Sequence, residues 1–446
     1  MKCIEDEIPF ELPEGWEWTR LGSLFSTITG STPSTKDTSL YGDEYPFYKP
    51  TDLDAGFDVC FSEDTVSEKG YKNGRILPVY SVLVTCIGAT IGKTGYIRNS
   101  GICNQQINAI LPNTFILPEY TYFCMCSEFE QQQIWTNSSA TTLPILNKSK
   151  FDSLFFPVPP KAQQTRTVER IKELLHFIEI IQQEKRTLQE TIKLSKSKIL
   201  DLAIRGKLVP QDPNDKPASV LLERIRAEKE ELIKQGKIKR DKKESVIFKG
   251  DDNSYYLRTG RVEESLEDWR FDDLPETWKI CCLGELCDYG DCINVNTEDI
   301  AEDAWILDLE DIEKDTGTVL KKVTKDQRNS VSTKHKFHSG QVLYSKLRPY
   351  LNKVVLSDAD GYCTSEILPL EFKNCVLPEY ARYYLMSGTF IAYANHCSYG
   401  VKMPRLGTTD GKKAIFSLPP LSEQKRIVET IDFCFVQLNK ISEALA

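Results

Sequence analysis

Apolar side chains recur at three- and four-residue steps over residues 162–206, and this pattern predicts one long amphipathic helix. Neither proline nor glycine interrupts the pattern before Gly206, a residue type suited to end a helix. A helix of about 45 residues would be about 65 Å long, and its apolar stripe would need a partner, as in a coiled coil. Lys185 and Ser195 are the polar members of the stripe. Its apolar members are Val168, Ile171, Leu175, Ile178, Ile181, Leu188, Ile192, Ile199 and Leu202.

The residues before this helix have the mixed pattern of an α/β block. Residues 75–99 contain short β-rich pieces separated by glycines, which indicates paired strands. Residues 118–135 predict a helix with an aromatic inner face. The adjacent prolines Pro159 and Pro160 close the block, because proline prevents a preceding helix from continuing and permits a new one to begin.

After the long helix, a proline-rich turn precedes a second amphipathic pattern over 218–240, carried by Leu221, Leu222, Ile225 and Leu232. Residues 241–270 are polar and rich in Gly and Asp, which predicts a loop or linker. We therefore expect five segments: a first globular domain 1–160, a central helical region 161–246, a linker 247–273, a second globular domain 274–420 and a C-terminal helix 421–446.

The two globular blocks repeat each other. ILPEY at 116–120 returns as VLPEY at 376–380, a shift of 260 positions that also superposes the two proline pairs. The fold class we predict is α+β. Two similar mixed α/β domains, produced by an internal duplication with pseudo-twofold symmetry, are separated by long helices that form an antiparallel, coiled-coil-like pair. At the same shift the last helix corresponds to 161–186 only, so we expect a short second copy of the spacer, truncated or supported by another chain.

Composition adds the cellular setting. With 446 residues, 40% hydrophobic and 27% charged, the chain is too long for one core and ordinary for a globular protein. The longest apolar runs are too short to cross a bilayer, the acidic N-terminus does not resemble a signal peptide, and fourteen cysteines then indicate a reducing cytoplasm. We expect no membrane partner. The net charge is −9, yet cations concentrate in 321–353 and 402–413, which favours a polarised surface.

Several apparent chemical motifs are incomplete. GATIGKT at 88–94 has three residues between its glycines where a phosphate-binding loop needs four, and no helix pattern follows it. Cys281, Cys282, Cys287 and Cys292 lack the C-x2-C pairing of zinc sites and are better interpreted as buried thiols. No catalytic motif was found, so we predict a non-catalytic chain.

Five segments carry a family likeness: LPEGWEWTRLGSLFSTITGSTPS and FPVPPKAQQTRTVERI in the first block, and GQVLYSKLRPYLNKVVL, GVKMPRLG and FSLPPLSEQKRIVETI in the second. Through these segments, each block resembles a target-recognition domain of the specificity subunit of type I DNA restriction–modification systems. The segment PASVLLERIRAEKEELIKQGKIKR resembles the central region of that family. The likeness therefore covers nearly the whole chain in the expected order.

The resemblance implies a non-enzymatic subunit that reads a split sequence in double-stranded DNA. Each domain would read one half-site through the major groove, and the helices would act as a ruler between the domains. Its expected partners are methyltransferase subunits, two of them, which carry S-adenosylmethionine, and restriction or translocase subunits, which carry ATP and Mg²⁺. The chain itself would hold no cofactor or metal.

Polar and cationic side chains in Gly- and Pro-containing loops are the candidates for DNA contact. Arg and Lys suit guanine edges and phosphates, and Tyr can bind a phosphate or stack. The structural alternative is a solvated surface side chain. The candidates are Thr32, Ser34, Thr35, Lys36, Tyr48, Lys49, Thr90 and Lys93 in the first block, and Lys346, Arg348, Tyr350, Lys353, Lys402 and Arg405 in the second.

Two other interpretations stay open at this point. The chain could be a truncated or silent specificity subunit that works only when paired with another copy. It could also be a two-domain helical scaffold that binds protein or carbohydrate, although the cations near Arg348 disfavour this.

Overall fold

The computed structural model describes residues 8–139, 143–238, 244–252, 254–266, 274–328 and 331–445. The chain separates into two compact units, Met1–Gln183 and Glu184–Ala446. Within the described ranges, no helix combines the length and the apolar character that crossing a bilayer requires.

The first unit is a mixed α/β fold followed by the start of a long helix. Short 3-10 helices occupy Thr38–Leu40 and Asp52–Asp58. Its α-helices are α1 (Leu21–Leu24), α2 (Glu68–Asn73), α3 (Pro118–Met125), α4 (Glu128–Asn137), α5 (Lys148–Asp152) and α6 (Lys161–Ile204), which continues into the second unit. Its strands are β1 (Glu17–Arg20), β2 (Thr27–Thr29), β3 (Tyr41–Tyr48), β4 (Thr65–Val66), β5 (Val82–Thr85), β6 (Thr94–Tyr96), β7 (Ile102–Cys103), β8 (Ile107–Ile110) and β9 (Phe155–Val158).

Strand β5 lies at the centre of the first unit. It pairs antiparallel with β8 and β6 in the order β2-β8-β5-β6, which confirms the paired strands predicted over 75–99. Successive side chains of a strand point to opposite faces. Accordingly Val82 and Val84 enter one apolar core, whereas Leu83 enters another. The unbroken apolar run at this position is the pattern of a strand that is buried on both faces.

The second unit contains its own mixed sheets. Short 3-10 helices occupy Thr297–Asp299, Leu309–Asp311, Lys325–Gln327 and Pro349–Leu351. Its further α-helices are α7 (Ala218–Lys234), α8 (Leu283–Leu286), α9 (Pro378–Leu385), α10 (Gly388–His396), α11 (Thr408–Lys413) and α12 (Leu421–Ala444). Its strands are β10 (Ser245–Lys249), β11 (Tyr255–Thr259), β12 (Val262–Ser265), β13 (Lys279–Cys282), β14 (Ile293–Val295), β15 (Trp305–Leu307), β16 (Val323–Thr324), β17 (Lys334–Phe337), β18 (Val342–Ser345), β19 (Val354–Leu356), β20 (Gly361–Thr364), β21 (Ile367–Leu370) and β22 (Ile415–Leu418).

The sequence repeat is also a structural repeat. The antiparallel set β8-β5-β6 returns as β21-β18-β19, and the antiparallel pair β1–β9 returns as β13–β22. The parallel pair β3–β7 returns as β15–β20, with Tyr48 opposite Cys103 in the first copy and Leu307 opposite Cys363 in the second. Helices α3, α4 and α5 have their counterparts in α9, α10 and α11 at the same shift.

The copies differ in the segment between the first short helix and the central strand. In the first unit this segment contributes to the small sheet β4-β3-β7, whereas in the second it builds the larger sheet β14-β17-β20-β15-β16. The common sheet set is therefore a scaffold onto which different surface segments are built.

The prediction of a loop or linker over 241–270 is wrong at 245–249, 255–259 and 262–265, where the chain forms strands. Strands β10, β11 and β12 form an antiparallel sheet over 245–265. Ile247 and Leu257 point to one face of this sheet and pack with Ile280 and Ile415 in a separate apolar cluster. Each strand contributes few apolar residues, so the composition remained polar while one face was apolar. Residues 241–243, 253 and 267–273 lie outside the described ranges.

The single helix predicted over 118–135 is two helices. Ser127 interrupts it, because its hydroxyl accepts a hydrogen bond from the Glu130 N–H at 3.3 Å and so caps the start of α4. The same arrangement recurs in the second unit, where Ser387 accepts from the Phe390 N–H at 3.3 Å.

The long helix is present as predicted, with 44 residues in α6. Gly206 follows it with φ of +65°, the left-handed conformation that commonly ends a helix. In the second unit, α6 and α12 pair antiparallel. Ile204 at the end of α6 shares a core with Ile427 near the start of α12, while the Lys196 ammonium donates to Asn439 Oδ1 at 2.6 Å.

Only part of the predicted apolar stripe of α6 is covered. Val168 and Ile192 are buried. Four members between them are 40–62% exposed, namely Leu175, Ile178, Ile181 and Leu188.

A buried glutamine anchors each helix that follows a proline pair. Gln164 accepts from the Leu117 N–H at 2.8 Å and donates to the Pro159 carbonyl at 3.0 Å. Gln424 makes the equivalent bonds in the second unit, with the Leu377 N–H at 2.8 Å and the Pro419 carbonyl at 3.0 Å. The repeat thus preserves the hydrogen bonds that hold each helix to its own globular domain.

Candidate nucleic-acid interface

The first candidate site consists of the loops 30–36, 88–93 and 104–106 of the first unit. Backbone bonds hold the first of these loops against the third: the Gly30 N–H donates to Ile107 O at 2.9 Å, and the Ser31 N–H donates to Cys103 O at 2.8 Å. A side chain at position 30 would bring its Cβ within 2.0 Å of the Asn104 carbonyl oxygen, so glycine is required for this approach.

The four predicted residues of the loop 30–36 are all exposed. Thr32 donates to the side-chain oxygen of Gln105, which ties the loop to its neighbour. Ser34, Thr35 and Lys36 point outward. Lys36 has no ion pair or side-chain hydrogen bond within the part of the chain that the structure describes, so its charge is available to a ligand.

Tyr48 is not a surface residue, and its assignment as a DNA contact is wrong. Its side chain is 0% exposed, its hydroxyl donates to Asn99 O at 2.8 Å, and burial raises its pKa. The tyrosine lies at the end of β3, where the pleat turns it into the core. Lys49 turns outward, but its ammonium forms an ion pair with Asp64 at 2.5 Å, which compensates its charge.

The glycine loop 88–93 is a tight turn between β5 and β6. Gly88 and Gly92 have φ of +105° and +88°, and a strand rather than a helix follows, in agreement with the rejection of a phosphate-binding loop. Thr90 is exposed at the turn. Lys93 is committed to an ion pair with Asp54 at 2.6 Å.

The second candidate site consists of the segments 346–350, 365–366 and 399–405. The extension of β18 lies between the other two: the Lys346 N–H donates to Glu366 O at 3.0 Å, and the Arg348 N–H donates to Pro404 O at 2.7 Å. Leu347 forms a bridge with Arg405. Three of the six predicted residues of the second block, Lys346, Arg348 and Arg405, are thereby brought side by side.

Arg348 has an unusual backbone conformation. Its φ of +50° and ψ of +64° lie in the left-handed region, which non-glycine residues rarely occupy. Its guanidinium Nε is buried without an acceptor, and within the described residues this side chain forms no ion pair. The side chains of Lys346, which is half-buried, and Lys402, which is exposed, likewise form no hydrogen bond or ion pair within the described ranges.

The remaining predicted cations of the second block already have partners. Arg405 binds the Glu366 carboxylate through two nitrogens at 2.8 and 3.1 Å, and this carboxylate raises the arginine pKa. Lys353 donates to Leu309 O at 2.6 Å, and burial lowers its pKa. Tyr350 is 50% exposed beside Arg348 and remains available.

Much of the cationic stretch 321–353 is also compensated internally. Lys322 pairs with Asp358 at 2.7 Å, and Arg328 pairs with Asp308 and Asp311 at 2.5 and 2.6 Å. The concentration of cations in the sequence therefore overstates the free positive charge on this surface.

The predicted burial of the cysteine cluster is found at three of its four positions. Cys281, Cys282 and Cys287 are buried, and burial raises the pKa of each. Cys292 is half-buried.

Sequence reasoning missed Gln105, Gln106 and Glu366. Gln105 is exposed and bonded to Thr32, and Glu366 holds Arg405. The shift of 260 positions superposes Gln106 on Glu366, so the repeat was the signal that could have pointed to these two residues.

Comparison with known proteins places both copies in one family. A sequence model described as the type I restriction modification DNA specificity domain matches residues 13–190 and 275–444. The EcoDI type I restriction enzyme specificity subunit of Escherichia coli is 23% identical, over 97% of this chain and 84% of the relative. The EcoAI specificity subunit of the same organism is 25% identical, over 98% of this chain and 80% of the relative.

Solved structures share the fold. A chain from the structure on complex assembly and conformational transition of the type I R-M system aligns with a TM-score of 0.58 and 17% identity, covering 98% of this chain and 94% of that chain. The HsdS subunit from Thermoanaerobacter tengcongensis aligns with a TM-score of 0.55 and 16% identity, covering 98% and 93%.

Proposed function

Because this chain belongs to the type I restriction modification DNA specificity family, we propose that it reads a bipartite target in double-stranded DNA, one half-site per domain. It is a non-catalytic recognition subunit that directs partner subunits to the target. The observation that carries the proposal is the repetition of one scaffold with two different surface segments, together with exposed polar or cationic side chains in loops of each copy.

The physical argument for the two sites is the supply of exposed or uncompensated polar and cationic side chains in loops on a rigid scaffold. Phosphate contacts position a protein on DNA, and base-edge contacts specify the sequence. The first candidate site offers Thr32, Ser34, Thr35, Lys36 and Thr90. The second offers Lys346, Arg348, Tyr350 and Lys402. Lys49, Lys93, Lys353 and Arg405 act within the protein instead, as local supports of these surfaces.

We propose that the partners are methyltransferase subunits, two per chain, and restriction or translocase subunits. Relatives are specificity subunits of type I restriction enzymes, which supports this assignment. S-adenosylmethionine, ATP and Mg²⁺ would then be held by those partners. Partner cations would also offset the net charge of −9, which opposes DNA binding by this chain alone. The assembly would act in the cytoplasm.

We further propose that α6 sets the separation of the two half-sites. Its 44 residues contain neither glycine nor proline. Two units that read one duplex must be spaced to suit its helical repeat, and a continuous helix keeps a distance more constant than a loop does.

The test is selection of a DNA ligand. The purified chain, alone and with a methyltransferase subunit from the same host, is incubated with random duplexes, and the bound fraction is sequenced. We expect two short motifs separated by a fixed, non-specific spacer. Selection of a single undivided motif, or of none in the presence of the methyltransferase subunit, would contradict the proposal.

A variant assigns the half-sites. Replacing Thr32, Ser34 and Thr35 together with alanine removes exposed hydroxyls of the first candidate site and should degrade one motif only. The Ser62→Ala variant removes a hydroxyl outside the candidate site, one that donates to the Asp64 carbonyl, and should leave both motifs intact.

A further inference from the structure

The two candidate sites have the same backbone bonds but different side chains. In the first, the Cys86 N–H donates to Gln106 O at 2.7 Å and the Gly88 N–H donates to Pro144 O at 3.0 Å. These bonds match those of Lys346 with Glu366 and of Arg348 with Pro404, 260 positions later. At the four equivalent side-chain positions the first copy has Cys86, Gly88, Gln106 and Ile145, whereas the second has Lys346, Arg348, Glu366 and Arg405.

We infer that the second domain reads a guanine in its half-site through Arg348, and that the first domain reads its half-site without a cation at this position. The inference rests on the proposed function, and it adds the base that is recognised and the residue that recognises it. Guanine presents two acceptors, N7 and O6, in the major groove, and the parallel donors of a guanidinium match them. Every side chain that the first copy has at the equivalent positions is uncharged.

The structure sets Arg348 apart from the other available cations. Its backbone is held by the bond to Pro404 O at 2.7 Å and by Pro349, which follows it. A buried guanidinium Nε without an acceptor is unfavourable until a ligand rearranges or supplies one. A left-handed backbone at a non-glycine residue is likewise unfavourable unless the surrounding structure imposes it, and such residues concentrate at binding sites.

Glu366 and Arg405 are positioning residues in this arrangement. Their bidentate ion pair joins the two segments that flank Lys346–Arg348. A free glutamate could accept from the cytosine amino group. Here the carboxylate oxygens are occupied by Arg405, so base reading falls to Arg348.

Lys402 has a different environment and a different role. It lies at the exposed tip of a loop whose ends are joined by two bonds between Tyr399 and Arg405, at 3.1 and 2.9 Å. A single ammonium on a flexible stem acts as a point charge, which suits a phosphate of any sequence. Lys402→Ala therefore serves as the matched control for Arg348→Ala.

The test begins with the unaltered chain and its methyltransferase partner. Duplexes carrying the selected bipartite motif are made with single guanines replaced by 7-deazaguanine, which keeps Watson–Crick pairing and removes the N7 acceptor. We expect the replacement to lower the affinity of the protein about ten- to a hundredfold at one guanine. This guanine should lie in the half-site that the triple variant of the first domain leaves intact. This measurement does not depend on any variant folding.

The variants then assign the residue. Arg348→Ala should lower the affinity for the unmodified duplex by a similar factor, and its affinity should no longer change when that guanine is replaced by 7-deazaguanine. Arg348→Lys should keep more of the affinity but should no longer discriminate guanine from other bases at that position. Lys402→Ala should weaken binding to all duplexes alike. It should also reduce the number of ions released on binding, as given by the salt dependence of the affinity, by about one.

Two outcomes would overturn the inference. The second half-site could contain no guanine that is sensitive to 7-deazaguanine, or a folded Arg348→Ala variant could discriminate as the unaltered chain does. Both leave the bipartite motif in place. Failure of the proposed function would instead appear as the absence of any bipartite motif, so the two failures are distinguishable.

Discussion

At the scale of single residues, charge compensation within the protein determines which candidate side chains are available to contact DNA. Lys49 and Lys93 look equivalent to Lys36 in the sequence, but Asp64 and Asp54 neutralise them. The sequence could identify the cations. It could not identify their partners, because an ion pair depends on distance in space and not on separation along the chain.

A pair of variants tests this distinction. Lys36→Ala removes an uncompensated charge, and we expect weaker DNA binding and a salt dependence reduced by about one ion. The double variant Lys49→Met with Asp64→Asn removes a compensated pair and keeps the net charge, so affinity should stay unchanged. The measurement is the DNA affinity of each variant as a function of salt concentration. Equal losses of DNA affinity in the two variants would contradict the distinction between compensated and uncompensated cations.

A buried carboxyl group gives a second prediction at this scale. Glu130 is 0% exposed, and burial raises its pKa well above the ordinary value of 4.5. The unfolded chain loses this proton near pH 4.5, whereas the folded chain keeps it, so the folded state binds more protons above that pH. The free energy of unfolding should therefore fall as pH rises, by up to about 1.4 kcal/mol per pH unit until the folded pKa is reached.

Glu130→Gln removes this titration. We expect the variant to gain thermal stability relative to the unaltered chain as pH rises from about 5 to about 8, in thermal unfolding experiments. The control is Glu128→Gln, which makes the same chemical change at an exposed position of the same helix. A pH-independent difference for Glu130→Gln would show that the carboxyl is ionised in the folded chain.

At the scale of elements, burial of one face determines what becomes ordered. The segment 245–265 is polar in composition, yet Ile247 and Leu257 give β10 and β11 an apolar face that packs on the domain. Conversely, Leu175 and Ile178 belong to a regular apolar stripe and are nevertheless exposed. Periodicity predicted the helix correctly, but whether a partner covers the stripe is a tertiary property.

Limited proteolysis tests the sheet β10-β11-β12. Trypsin should cut slowly at Lys249 and Arg258, because both lie within paired strands. Leu257→Asp buries a charge without a partner, at a cost of about 3 kcal/mol or more, and should make both sites rapidly cleavable. Val262→Asp, at a 59% exposed position of the same sheet, should remain resistant. Rapid cleavage of the unaltered chain would restore the linker interpretation.

At the scale of the whole molecule, the duplication pairs a conserved scaffold with unlike surface segments. The hydrogen bonds of Gln164 and Gln424 show how closely the scaffold is repeated. The central sheet returns in the same register, whereas the sheet built around β3 is enlarged around β15. Such a chain suits two different half-sites better than a symmetric target.

Lengthening α6 tests its role as a spacer. Inserting seven residues of high helix propensity after Gln183 adds about 10 Å, close to three base pairs of DNA. We expect the selected spacer to lengthen by about that amount while both half-motifs stay the same. Replacing seven residues there by others of high helix propensity, with no change in length, is the control. An unchanged spacer in the lengthened chain would exclude α6 as the ruler.

The sequence by itself determined the duplicated scaffold and the long helix. Apolar runs, three- and four-residue steps, proline pairs and a repeated register are local or periodic properties, so they are visible without coordinates. They placed α6, α12 and the paired strands β5 and β6.

Tertiary structure alone decided which side chains are available. It buried Tyr48, compensated Lys93, engaged Arg405 with Glu366, and left Arg348 without an ion pair among the described residues. Each of these outcomes depends on groups far apart in the sequence, such as Lys93 and Asp54. Burial and charge compensation depend on all the groups that surround a side chain in space. The pattern of residues along the sequence does not show which groups those are.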